Sequence, residues 1–136
     1  IKTVHEDADG LAGLEHIRVH APAIVILDWE MPMLNGAEML RIGRECIITF
    51  PNFGNWRCRL QIAGKGRMPV SRFMPYTWYD TPNIHFCTVL DFEALCRAKN
   101  IHVINRVVVD ANQRATLASR LLPNLCGVTA IYHVTR

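Results

Sequence analysis

Several features of membrane, secreted and nucleic-acid-binding proteins are absent from this sequence. No apolar run approaches the roughly 18 residues of a membrane-spanning helix, and no secretory signal peptide is recognisable. Fifteen Lys and Arg residues against twelve Asp and Glu residues give a net charge of only +3. The basic residues form no block of like charge. We therefore expect a cytoplasmic protein that neither enters a membrane nor binds nucleic acid.

Closely spaced cysteines are also missing. The five cysteines are far apart and odd in number, so they lack the spacing of a zinc site and are typical of reduced thiols in a cytosolic protein. The six histidines have no metal-ligand spacing, and we interpret His16 and His20 as a solvated helix face. Buried or half-buried positions are expected for Cys46, Cys58, Cys87, Cys96 and Cys126.

What the sequence does contain is the pattern of one α/β domain. Half of its 136 residues are hydrophobic and a fifth are charged, which is typical of a globular chain with a sizeable core. Residues 23–27 and 46–50 are short apolar runs, as in strands that are buried on both faces. Residues 37–44 between them favour a helix. Together they predict a βαβ unit with parallel strands.

The remaining elements follow from periodicity and turn residues. We predict strands at residues 1–6, 101–109 and 128–134, helices at residues 11–20, 55–63 and 88–99, and a short helix or turn at 114–122. Thr88 is the expected N-cap of its helix, with Asp91 three positions on. Residues 52–87 include a long ordered loop, at 64–84, that is rich in aromatic residues and proline. The whole chain, residues 1–136, predicts a three-layer α/β sandwich of the flavodoxin-like or Rossmann-like kind, with a mostly parallel sheet of about five strands and an antiparallel last strand.

Asp28 directly follows a buried strand, where open α/β sheets place functional groups. The segment Asp28-Trp-Glu-Met-Pro-Met-Leu-Asn-Gly36 resembles the phosphoacceptor loop of response-regulator receiver domains, and the resemblance extends over residues 4–40. It implies that Asp28 accepts a phosphoryl group and that Glu30 lies beside a Mg²⁺ ion. Such a reaction needs the ion to neutralise phosphate oxygens.

The other parts of a receiver have no match. Receivers hold Mg²⁺ with an acidic pair after their first strand, and that strand would precede Ile1. Glu6 and Asp7 follow a different strand. The switch Thr or Ser and the catalytic Lys have no counterpart either. We therefore favour a turn that retains an exposed Asp28 without phosphoacceptor chemistry, and keep the phosphoacceptor as the alternative.

A second and longer resemblance covers residues 38–136. Its segments are Met39-Leu-Arg-Ile-Gly-Arg-Glu45, Phe50-Pro-Asn-Phe-Gly-Asn-Trp-Arg57, Gly66-Arg-Met-Pro69, Trp78-Tyr-Asp-Thr-Pro-Asn-Ile-His85, Asp91-Phe-Glu-Ala-Leu95 and Leu121-Leu-Pro-Asn-Leu125. These are similar to the methionine-biosynthesis MetW family. The resemblance implies the C-terminal half of a class I S-adenosylmethionine-dependent methyltransferase-like fold, and a homoserine O-acyltransferase as partner.

A cofactor site is not expected in spite of this resemblance. Such folds bind the cofactor with a glycine-rich loop after the first strand. Gly10 and Gly13 have the wrong spacing for it, and Gly64 and Gly66 lie in a segment with no preceding strand. We therefore predict no bound S-adenosylmethionine, and we favour a chain that is not an enzyme while leaving enzymatic activity open.

Aromatic and basic residues alternate in the segment 52–87, which suits either a partner surface or a loop that folds back on the sheet. We predict partner contacts at Trp56, Arg57, Trp78, Tyr79 and His85.

The two resemblances meet near residue 40, so we interpret the chain as a chimera: a recombined, engineered or computationally generated sequence, or else a gene fusion. Three functions stay open, namely a non-catalytic MetW-like partner-binding module, a receiver-like phosphoacceptor that uses Asp28, and a folded chain without native activity. A first strand cut short would leave an unpaired sheet edge, which predicts a homodimer through strand pairing.

Overall fold

The computed structural model describes residues 10–20, 22–28, 45–70 and 87–135. In chain order the elements are α1 (Gly10–His20), β1 (Ile24–Asp28), β2 (Glu45–Pro51), α2 (Trp56–Lys65), α3 (Val89–Ala98), β3 (His102–Val109), α4 (Leu117–Leu121), α5 (Pro123–Cys126) and β4 (Thr129–Thr135). The predicted strand 1–6 and helix 37–44 lie outside the described residues, as does most of the predicted loop 64–84. No helix in the described part of the chain is long and apolar enough to cross a membrane.

The four strands form one mixed sheet in the order β1-β2-β4-β3. β1 pairs with β2 in parallel, and β4 pairs antiparallel with both β2 and β3. The α/β class and the antiparallel last strand are thus confirmed. The prediction of a mostly parallel sheet is wrong, because β4 returns between β2 and β3 and makes two of the three strand pairings antiparallel. The predicted three layers stay a prediction.

Alternation along the two central strands places the core on one face of the sheet. Every second residue of β2 and of β4 is buried, as in strands that pack one face on the core. The prediction that residues 46–50 are buried on both faces is therefore wrong. α3 contributes Val89, Phe92 and Cys96 to the same cluster. The rings of Phe50, Phe92 and Tyr132 lie with their centroids 4.6–5.8 Å apart, within the range of favourable aromatic pairs.

Local hydrogen bonds explain where the helices begin. The Thr88 hydroxyl accepts the N–H of Asp91 at 3.1 Å, so the predicted cap of α3 is confirmed. Thr116 and Ser119 form a reciprocal capping box at α4. The predicted short helix or turn at 114–122 contains one helix, α4. Pro123, which has no N–H to continue α4, begins the separate helix α5.

α2 ends in a backbone conformation that only glycine adopts without strain. Gly66 has a φ of 62° and its N–H donates to the carbonyl of Ile62 at 2.8 Å, which is a left-handed C-cap. Gly64 therefore belongs to the helix and not to the predicted loop. Gly64 and Gly66 end a helix, whereas a phosphate-binding loop opens one.

Candidate functional site

Asn52 organises the carboxyl end of β2. The residue is 2% exposed, and its side-chain amide donates to the carbonyls of Pro123 (3.3 Å), Asn124 (3.0 Å) and Gly127 (2.9 Å). Its side-chain oxygen accepts the N–H of Gly54 at 3.0 Å and the N–H of Val89 at 3.2 Å. One buried carboxamide thereby joins the end of β2 to the start of α3 and to α5.

Asn55 completes this arrangement. Its amide donates to the carbonyl of Gly127 at 2.8 Å, and its oxygen accepts the N–H of Arg57 at 3.0 Å as the N-cap of α2. Sequence reasoning concentrated on the aromatic residues and missed both asparagines. The available signal was a buried strand that ends in proline and is followed by two asparagines three positions apart.

Close packing fills the space around these asparagines. A Cβ on Gly54 would lie 2.3 Å from Oδ1 of Asn124, and a Cβ on Gly127 would lie 2.0 Å from Cγ1 of Val108. Protein atoms therefore occupy the end of β2, where an α/β sheet commonly binds its ligand. The absence of bound S-adenosylmethionine stays a prediction.

Trp56 and Arg57 begin α2 beside the asparagines. Trp56 is 44% exposed, and Cζ of Arg57 lies 5.4 Å from the centroid of the Trp56 ring, within cation–π range. Nε of Arg59 donates to the carbonyl of Gly54 at 2.7 Å, so that arginine supports the turn. The other three predicted partner residues, Trp78, Tyr79 and His85, lie outside the described residues.

Asp28 is the last residue of β1 and pairs in register with Thr49 of β2. It is therefore at the carboxyl edge of the parallel pair, as the sequence predicted. Glu30 lies outside the described residues. Across residues 10–20, 22–28, 45–70 and 87–135 no group of three His, Cys, Asp or Glu could hold a metal ion. The roles of Asp28 and Glu30 toward phosphate or Mg²⁺ stay predictions.

A polar triad lies where the core meets solvent between α3 and the sheet. The Tyr132 hydroxyl donates to Oε1 of Glu93 at 3.0 Å, and Nη1 of Arg106 donates to the same oxygen. Burial and then the Glu93 charge raise the pKa of Tyr132 above its usual range. Tyr132 stacks on Phe50 in the core, so we assign this triad a structural role.

The thiols have the environment expected of core cysteines. All five are free, four are buried, and Cys126 is half-buried. Burial raises the pKa of Cys87 to about 12 and that of Cys96 to about 11, so the nucleophilic thiolate form of these two is disfavoured.

Comparison with known proteins identifies the family. The family model for methionine biosynthesis protein MetW matches residues 1–134. The chain is also 35% identical, over 95 residues, to the bifunctional methionine biosynthesis protein MetXA/MetW of Rhodopirellula baltica. That alignment covers 69% of this chain and 15% of the relative. No solved structure matches the chain.

The family match runs through residue 40, where the sequence suggested a junction with a receiver segment. The comparisons therefore do not support a chimera of two families, and the segment around Asp28 falls within the same match. The chain belongs to the methionine biosynthesis protein MetW family.

Proposed function

We propose that this chain is a non-catalytic, partner-binding protein of methionine biosynthesis, and that it binds a homoserine O-acyltransferase through the surface at Trp56 and Arg57. The observation that carries the proposal is the exposed Trp56–Arg57 pair at the start of a capped helix. Tryptophan and arginine are the residue types most enriched among the side chains that dominate protein–protein binding energy.

The rigidity of this position supports a binding role. Asn55 caps α2 and is itself bonded to the carbonyl of Gly127, so the two exposed side chains project from a backbone that is already ordered. Little conformational entropy of the main chain would be lost when a partner binds, and preorganisation of this kind increases affinity.

The relative from Rhodopirellula baltica supports the identity of the partner. Its name combines MetXA and MetW in a single bifunctional protein. Two proteins that are fused into one chain in one organism often bind each other as separate chains in another. The MetXA part of that relative is therefore the partner to test. The close packing of Gly54 on Asn124 at the end of β2 supports the non-catalytic part of the proposal.

The test is isothermal titration calorimetry with the separately expressed MetXA part of the relative. We expect saturable binding by the unsubstituted chain and at least about tenfold weaker binding by Trp56→Ala or Arg57→Ala. Ile104→Ala and Arg97→Ala are matched controls, because Ile104 is 46% exposed on β3 and Arg97 is exposed in the last turn of α3. The proposal fails if the unsubstituted chain does not bind, or if the controls weaken binding as much as the test variants.

A second candidate is a phosphoacceptor role of Asp28, which its place at the carboxyl end of β1 favours. Addition of Mg²⁺ and beryllofluoride would then shift the amide NMR signals of residues near Asp28 and Thr49. The same addition to Asp28→Asn would leave the spectrum unchanged. Identical spectra of the unsubstituted chain with and without the reagents would remove this candidate.

A further inference from the structure

Helix α2 exposes an apolar stripe to solvent. Trp56, Leu60 and Ala63 are spaced by four and then three residues, so they lie on the same side of the helix. Trp56 is 44% exposed, Leu60 is 62% exposed and Ala63 is exposed as well. Buried Cys58 lies on the opposite side, because two residues correspond to about 200° of rotation around an α-helix. We refer to Trp56, Leu60 and Ala63 as the α2 stripe.

Both ends of α2 are capped, so the α2 stripe is carried by a helix that is already formed. The Asn55 side chain accepts the N–H of Arg57 at the start of α2, and the N–H of Gly66 donates to the carbonyl of Ile62 at its end. The ten residues between these caps span about 15 Å at 1.5 Å per residue. A partner that binds the α2 stripe would therefore order little main chain.

The charged side chains on and beside α2 are all basic. Residues 46–70 are all described by the structure, and they contain no acidic residue. Arg57 and Arg59 lie on either side of the α2 stripe, because they are about 100° and about 300° around the helix from Trp56. The basic residues of this segment, all of them exposed, are Arg57, Arg59, Lys65 and Arg67.

The acidic residues of α3, which begins at the Asn52 side chain, bond to other groups. The Asp91 carboxylate accepts the hydroxyl of Thr88 at 2.6 Å, and Glu93 forms an ion pair with Arg106 of β3. Among the residues that the structure describes, neither carboxylate forms an ion pair with a basic side chain of α2. The positive charge beside the α2 stripe is therefore available to a partner.

A groove in an acidic protein fits these features best. Apolar residues at positions i, i+4 and i+7 are the anchors by which a helix binds in an apolar groove of another protein. Acidic residues at the rim of such a groove would face Arg57 and Arg59. Nucleic acid phosphates would pair with the arginines but would leave Leu60 without an apolar contact. A bilayer would bury the narrow stripe only by drawing both flanking arginines toward the acyl chains.

We propose that α2 is a docking helix that inserts Trp56, Leu60 and Ala63 into an apolar groove of a protein partner, with acidic residues of the partner facing Arg57 and Arg59. This inference rests on the proposed function and deepens it. It extends the contact from the Trp56–Arg57 pair along α2 and specifies the shape and charge of the partner surface. Burial of the α2 stripe would slow dissociation, and complementary charge would speed association.

The first test compares Leu60→Ala with Ile62→Ala, two substitutions on the same helix. Ile62 is 44% exposed, but it lies about 200° around the helix from Leu60 and therefore off the stripe. Binding to the separately expressed MetXA part of the relative is measured by surface plasmon resonance. We expect about tenfold weaker binding by Leu60→Ala, mainly through faster dissociation. Ile62→Ala should change binding by less than about twofold.

The second test compares Arg57→Glu with Arg97→Glu at two salt concentrations. Arg97 is exposed in the last turn of α3, and both substitutions change the net charge by the same amount. We expect slower association and a smaller salt dependence for Arg57→Glu, and much smaller effects for Arg97→Glu. All four substituted residues are at the surface, and unchanged thermal melting checks that the variants fold.

The outcomes separate the two proposals. If Trp56→Ala weakens binding and Leu60→Ala behaves like Ile62→Ala, the present inference alone is overturned. Equal effects of Arg57→Glu and Arg97→Glu would overturn the acidic groove. If the unsubstituted chain does not bind MetXA, the proposed function and this inference are both overturned. Binding to phosphatidylserine-containing vesicles that Leu60→Ala abolishes would assign the α2 stripe to a membrane surface, and would also overturn the inference.

Discussion

Replacement of Asn52 by alanine should be among the most damaging single changes in the described part of the chain. The carboxamide is buried, donates to three carbonyls and accepts two backbone N–H groups. These five hydrogen bonds connect β2 with two other elements that lie far apart in the sequence. No other residue type has a donor and an acceptor of the same size and shape at these positions.

The magnitude follows from the groups that would lose their partner. Asn55 still donates to the carbonyl of Gly127 in the variant, and the Gly127 N–H still donates to Pro123. The N–H groups of Gly54 and Val89 and the carbonyl of Asn124 would lose the Asn52 side chain. Each buried group left unpaired costs about 1–3 kcal/mol. Because water can enter part of the cavity, we expect a loss of about 3–5 kcal/mol in the free energy of unfolding.

Urea denaturation followed by far-UV circular dichroism measures this loss. With an m-value of about 2 kcal/mol/M, the midpoint should fall by about 2 M. Asn112→Ala is the matched control, because Asn112 is exposed in a turn, and it should change stability by less than about 0.5 kcal/mol. A loss below about 1 kcal/mol for Asn52→Ala, with an unchanged slope, would refute the role assigned to this side chain.

Asn52→Asp distinguishes lost hydrogen bonds from lost volume. The new carboxylate would face three carbonyl oxygens, so its pKa in the folded protein would be raised above the usual value of about 3.9. The variant is then penalised increasingly as the pH rises above that value, since the unfolded chain ionises first. Its stability deficit relative to the unsubstituted protein should be larger at neutral pH than near pH 4, whereas the deficit of Asn52→Ala should change little.

Three further predictions concern packing and ionisation. Gly54→Ala should destabilise the protein by about 1–3 kcal/mol through its clash with Asn124, whereas Gly64→Ala, which meets nothing within 4 Å, should stabilise it by about 0.5 kcal/mol in the same denaturation assay. Because the pKa of Tyr132 is raised in the folded protein, its contribution to the free energy of unfolding is complete below the pKa of the unfolded chain, about 10, and is lost as the pH rises above that value. Tyr132→Phe should lack this alkaline loss of stability. An equal loss in both proteins would contradict the assignment. At pH 8 the thiol reagent DTNB should modify half-buried Cys126 before Cys87 and Cys96, whose pKa values burial raises, and equal rates without denaturant would show that these two are accessible.

Local sequence patterns predicted most of the described elements. The apolar runs at 23–27 and 46–50 correspond to β1 and β2 within one or two residues, and the predicted strands 101–109 and 128–134 correspond to β3 and β4. The N-cap at Thr88 was likewise predicted from the sequence. These strands and this cap depend on residues that are close together in the sequence, so the local sequence is enough to predict them.

The motif at Asp28 shows the limit of such patterns. A short segment similar to a receiver loop suggested a second family, but the MetW family match extends across it. A family assignment is therefore safer when it draws on the whole chain than when it draws on one loop.

The sequence by itself determined the α/β class, the family, most strand and helix positions, and the exposed Trp56–Arg57 pair as a candidate contact. Only the tertiary structure decided that β4 lies between β2 and β3 and that Asn52 and Asn55 join α2, α3 and α5. Strand order and these hydrogen bonds link residues more than 70 positions apart. Such contacts form because the packed chain leaves buried polar groups that need partners, and no local pattern records which distant residue will supply them.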